Sequence, residues 1–128
     1  MKLTKINWED VAKQELVPEG KVAARLDKIE ERKGREEPHN PYWNFEFTLI
    51  APEEVVGRKV WDVFMLDVKS LWKLRNFCGC IGIELEGQRD IDTAELEGQE
   101  IGLQISHETY EGRERNRIKG YFEYKPGK

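Results

Sequence analysis

RKVWDVFML (residues 58–66), followed directly by DVKSLWKLRNFCGCIG (residues 67–82), is the stretch that decides how this chain is read. Arg58 to Leu66 is short and rich in β-branched and aromatic residues, and only Arg58, Lys59 and Asp62 are polar, which predicts a strand. Val60, Phe64 and Leu66 share one face, so Trp61 falls on the other, where a core ring and a surface ring are both open readings. From Asp67 the period changes. Leu71, Leu74, Cys78 and Ile81 recur at helical spacing, with Asp67 or Ser70 available as N-cap and Gly82 as a stop.

Upstream, Asn7 caps a short expected helix from Trp8, and Pro18-Glu-Gly20 is a turn signal. Lys21 to Ile29 is the first strand candidate, with Val22, Ala24 and Leu26 on one face. A polar, Pro-containing loop of Arg32, Lys33, Gly34, Arg35 and Pro38 to Pro41 interrupts it. Tyr42 to Ile50 is the second strand, with Trp43, Phe45, Phe47 and Leu49 opposite Tyr42, Asn44, Glu46 and Thr48. Downstream of the helix, Glu84 to Glu100 reads as a solvated acidic loop with a small apolar set in Ile91 and Leu96. Gln99 to Thr109 alternates as a fourth strand, and Glu111-Gly112 turns it into a fifth. The order of three strands, one helix and two strands matches an all-β five-stranded OB-fold barrel, with its one main helix between strands 3 and 4. An SH3-like barrel or a small sandwich shares that order as long as closure is open. Residues 1–17 form a leading segment and residues 18–125 the OB-fold domain.

A chain of 128 residues is one domain by size, and its 13 aromatics argue for a packed core despite 36% charged residues. The net charge of −4 hides an asymmetry. Glu84 to Glu100 holds seven acids and one base, leaving twenty bases against eighteen acids elsewhere. A basic binding surface is therefore compatible with the acidic total. No apolar run reaches the ~20 residues that cross a bilayer, and no signal-peptide pattern opens the chain, so the expectation is a cytosolic protein away from membranes.

The fifth strand, RERNRIKGYFEY (residues 113–124), has two unlike faces. Strict alternation puts Ile118, Gly120, Phe122 and Tyr124 toward the core, and Arg115, Arg117, Lys119 and Tyr121 outward, about 6.6 Å apart. A row of cations with a ring suits a charged polymer whose bases stack, such as single-stranded nucleic acid; an edge strand kept soluble by charge is the plainer reading. In an OB-fold, strands 2 and 3 and the loops joining strands 1–2 and 4–5 bind oligonucleotides. That adds Tyr42, Arg58, Lys59, Trp61, Arg32, Lys33, Arg35 and Arg113 to the candidate site. Trp72 is read as packing the helix against the barrel or the leading segment. Phe64 and Phe77 are read as core.

Catalytic patterns are missing from the sequence. His107-Glu108 lacks the second histidine of a zinc-protease motif, and neither Ser70 nor Ser106 sits in a nucleophile elbow. Cys78 and Cys80 have no second cysteine pair, so they are read as reduced, space-filling thiols rather than metal ligands. The acids of residues 84–100 gather Mg2+ for a nuclease only if they converge on rigid elements. No enzyme, metal or cofactor is expected.

GRKVWDVFML (57–66), SLWKLRNF (70–77) and ELEGQEIGLQISHETYEGRERNRIKGYF (95–122), with the Pro18-Glu-Gly20 opening, are similar to phage-encoded single-stranded-DNA-binding proteins, a family long catalogued as a phage domain of unknown function. The resemblance spans about residues 18–124 and rests on the order of these segments rather than on one diagnostic motif. It implies an OB-fold that binds single-stranded DNA without reading sequence, in phage DNA replication or recombination in the host cytoplasm, and it favours GRKVW and RERNRIK as parts of the binding face. Phage replication or recombination proteins are the implied partners, and a homodimer is compatible. The alternative is a protein-interaction module of such a complex that does not touch DNA. Many single-stranded-DNA-binding proteins end in an acidic tail, whereas this sequence ends in Lys125-Pro-Gly-Lys128.

Overall fold

Alternation becomes pairing in the second strand, where Phe45, Phe47 and Leu49 are fully buried and the residues between them are not. The computed structural model describes residues 1–8, 16–34 and 40–125. Most of the expected leading helix (residues 9–15), Arg35, Pro38 and the basic end at 126–128 lie outside the described residues. The strands are β1 (Gly20–Lys33), β2 (Pro41–Ala51), β3 (Lys59–Met65), β4 (Glu100–Tyr110) and β5 (Arg113–Phe122). Helix α1 (Leu71–Cys80) lies between β3 and β4, followed by the short α2 (Thr93–Leu96). All five strands form one antiparallel sheet in the order β3-β2-β1-β4-β5.

β1 is longer than its apolar alternation indicates because it serves two partners. Gly20 to Arg25 pairs with β4, and Ala23 to Lys33 pairs with β2. Register shifts at Ala23/Ala24 and Leu26/Lys28 bend it between them, as bulges do. The sheet's two edges, β3 and β5, come together through side chains. The Tyr121 hydroxyl donates to Asp62 at 2.5 Å, and the rings of Phe64 and Tyr121 lie 5.9 Å apart. Among the described residues no backbone ladder joins these edges.

Helix α1 packs at that junction. Phe77 stands edge-on to Phe45 and to Tyr121, each at 5.2 Å, and Leu74 and Cys78 are buried beside it. Lys73 donates to Asp62 and to the Val63 carbonyl, both at 2.8 Å, while the Val63 amide is held by Asp62 at 2.9 Å. Both backbone groups of Val63 on this edge strand are thus satisfied by side chains. Neither Asp67 nor Ser70 caps α1 through its side chain, contrary to the expectation from sequence. A 3₁₀ turn at Val68–Ser70 leads into the helix instead, with the Ser70 amide bonded to the Asp67 carbonyl at 2.9 Å. Gly82 does stop it: φ is 84°, with the Ile83 amide on the Cys78 carbonyl and the Gly82 amide on that of Gly79.

The acidic segment is more ordered than a solvated loop. Asp92 and Glu95 form a reciprocal capping box on α2, which delivers Leu96 fully buried into the core.

β5 corrects the face assignment. Ile118 lies opposite Ile105, and Gly120 lies opposite Gln104, so Lys119 is an extra residue in a bulge. One extra residue reverses parity, and the strand beyond it turns over. Ile118 and Tyr121 therefore both face the core, opposite Ile105 and Leu103, and Phe122 faces out. Tyr121 is not on the cationic face. Phe122 instead lies over Gly102, where an added Cβ would fall 2.2 Å from its ring, and Lys21 sits 5.5 Å from its centroid. Gly102→Ala should accordingly cost about 1–3 kcal/mol by overpacking. In a Phe122→Ala background most of that penalty should vanish, which a double-mutant denaturation cycle reads. An undiminished penalty would place the clash elsewhere.

Candidate functional site

Register assembles the outer face of β1, β2 and β3 into four rows. Arg25, Thr48 and Lys59 form the first; Lys28, Glu46 and Trp61 the second; Glu30, Asn44 and Val63 the third; Arg32, Tyr42 and Met65 the last. Trp61 is 52% exposed in the middle of its strand, and Val63 and Met65 beside it are exposed as well. The Trp61 indole nitrogen donates to Glu46 at 3.2 Å, which fixes the ring's orientation without covering it.

The cations of this face are paired. Lys59 lies 3.3 Å from Glu46 and 3.4 Å from Asp27, and Arg25 lies 3.0 Å from Asp27. Lys28 and Arg32 grip Glu30 at 2.8 and 2.9 Å and hold its carboxyl down at about 2. Burial would raise the Asp27 carboxyl, but hydrogen bonds from Thr48, Arg25 and Lys59 outweigh it and the net shift is downward. Four bases against three acids leave the face nearly neutral. Ion pairs near the surface are screened by water and add little to stability.

The β4–β5 hairpin is different. Arg113, Arg117 and Lys119 are exposed and form no ion pair among the described residues. Arg115 reaches Glu108 at 2.6 Å and stacks 4.2 Å from the centroid of the exposed Tyr110 ring. The turn at the tip has positive φ at both Glu111 and Gly112, the geometry of a tight two-residue hairpin. On its inner side Asn116 accepts from the Val17 amide at 2.8 Å, and His107 contacts the Val17 carbonyl at 2.6 Å. Val17 is thereby fully buried at the base of the arm.

The structure therefore splits the candidate residues. Tyr42, Lys59, Trp61 and Arg32 share the β1–β3 face, and Lys33 is exposed at the end of β1 opposite Pro41. Arg113, Arg115, Arg117 and Lys119 belong to the hairpin. Arg58 joins neither group: it is half-buried, and its Nη2 is enclosed without a hydrogen-bond partner. Tyr121 packs against the core cluster, where burial pushes its phenol well above its usual range, with Asp62 adding to the effect. Sequence reasoning missed Val63 and Met65, which follow from the parity of Trp61, and Tyr110, whose ring supports Arg115.

A separate open groove of about 570 Å3 includes Ile29, Trp43, Ile91, Asp90 and Glu95 among its lining residues, so the acidic segment borders its own surface. Among the described residues no cluster of His, Cys, Asp and Glu has the makings of a metal site, and no helix is long and apolar enough to cross a membrane. Cys78 is buried, and burial pushes its thiol up to about 11. The chain matches no protein-family model, and no curated protein is found similar to it.

Proposed function

We propose that this chain is an OB-fold protein of the phage single-stranded-DNA-binding type, which holds DNA by stacking and phosphate contacts without reading sequence. The observation that carries this reading is Trp61, exposed at mid-strand on a face shared with Tyr42, Val63 and Met65. A buried apolar face needs no such counterpart on the solvent side, whereas base stacking does. The cations of the β4–β5 hairpin supply the phosphate-binding part, as the loop between strands 4 and 5 does in OB-folds. Supporting the barrel reading are the helix between β3 and β4, the bent β1 shared by β2 and β4, and the Asp62–Tyr121 bond between the edges.

Tryptophan fluorescence titrations with oligo-dT and with duplex DNA, at two salt concentrations, test it. Quenching by single strands, weaker at high salt and stronger than with duplex, is the expected result. Equal affinity for duplex would reduce the interaction to electrostatics. No binding at low salt would favour a protein-interaction module of a phage replication or recombination complex.

A further inference from the structure

We infer that a single strand lying on the β1–β3 face continues past Met65 onto the first turn of α1, where Trp72 is a second stacking platform. This rests on the reading of that face as a single-stranded-DNA site.

Twelve large hydrophobic residues are exposed among the described residues, and six of them fall in one stretch: Trp61, Val63, Met65, Val68, Leu71 and Trp72. Scattered exposure is ordinary, but a concentrated apolar run on a charged protein marks a contact surface. Trp72 is 64% exposed, more than Trp61, which corrects its reading as a ring packing the helix against the barrel; the other expected contact, the leading segment, falls largely on residues 9–15, outside the described residues. At 3.6 residues per turn it lies on the side of α1 away from the buried Leu74, Phe77 and Cys78.

The backbone that carries the ring is nonetheless anchored. Its neighbour Lys73 is bonded to the Val63 carbonyl and to Asp62 at 2.8 Å, and its ammonium lies 4.6 Å from the Phe64 ring centroid. That anchor pins the first turn of α1 to the edge of β3, the strand that displays Trp61. Charge selects the occupant. Lys69 and Arg75 flank Trp72, are exposed, and form no ion pair among the described residues, while Lys73 neutralises Asp62. An exposed indole between unpaired cations, on an anchored helix turn, fits a base and its phosphates better than an apolar protein segment.

The experiment measures anisotropy of labelled oligo-dT of increasing length with wild type, Trp61→Ala, Trp72→Ala and Trp72→Phe, each checked for wild-type melting. Trp72→Ala should weaken binding of long oligomers roughly tenfold, spare the shortest oligomers that bind, and be largely rescued by Trp72→Phe. If Trp61→Ala loses affinity while Trp72→Ala matches wild type at every length, the strand leaves β3 by another route and this inference falls alone. If the wild-type protein binds no oligo-dT, the inference falls together with the reading it rests on.

Discussion

Tyr121→Ala is expected to destabilise the protein by about 3–5 kcal/mol, the range for removing a large aromatic side chain from a core. The ring packs against Phe47, Phe64 and Phe77, with centroids 6.1, 5.9 and 5.2 Å away, and its hydroxyl is the hydrogen-bonded link between the two sheet edges. Tyr121→Phe isolates the hydroxyl: it keeps the packing and removes only the bond to Asp62, so it should cost less. Denaturant melts of both variants make the comparison. The phenol supplies a second readout through pH. Its folded value is raised above the ordinary 10, so its contribution is complete below pH 10 and is lost as pH climbs toward the folded value. Wild type should therefore lose stability above pH 10 more steeply than Tyr121→Phe. If Tyr121→Ala melts like wild type while Phe122→Ala unfolds, the bulge at Lys119 is misplaced and the faces of β5 are exchanged.

Replacing Arg113, Arg117 and Lys119 together by alanine should weaken single-stranded DNA binding strongly and leave the melting temperature nearly unchanged. All three are exposed, and none makes an ion pair among the described residues, so folding depends little on them. Every phosphate that a side chain neutralises adds about 0.7 to the slope of log affinity against log salt, so the triple variant should flatten that slope by about 2. Arg115 is left in place because its pairing with Glu108 and its stacking on Tyr110 would mix a structural effect into the result. A triple variant with an unchanged salt slope would remove the hairpin from the interface and leave the β1–β3 face alone.

Most of the architecture is legible in the sequence because its signals are local. Apolar alternation in Val60 to Phe64, helical spacing from Leu71 to Cys78, and glycines at the turns each report the backbone around them. The candidate site is legible only in part. Lys59 and Trp61 sit together on one face as their spacing indicates, yet the pairing of Lys59 with Asp27 and Glu46 involves strands 13 to 32 residues away. No local pattern reports that a cation will meet a carboxylate from another strand. Adjacency groups Arg58 with Lys59, and partial burial in the fold separates them.

Without its fold, the chain already specifies the number and order of the strands, the helix after β3, and the presence of an aromatic and basic surface. Which residues stand on that surface is settled by tertiary packing. Alternation sets relative parity along a strand but not whether a bulge will reverse it. Tyr121 and Phe122 are both large rings, and nothing in their neighbours says which one turns inward. The choice is made elsewhere: Asp62 offers the Tyr121 hydroxyl an acceptor inside, and Gly102, lacking a Cβ, leaves a flat seat for Phe122 outside. Both determinants lie on other strands, and only the folded sheet brings them to β5.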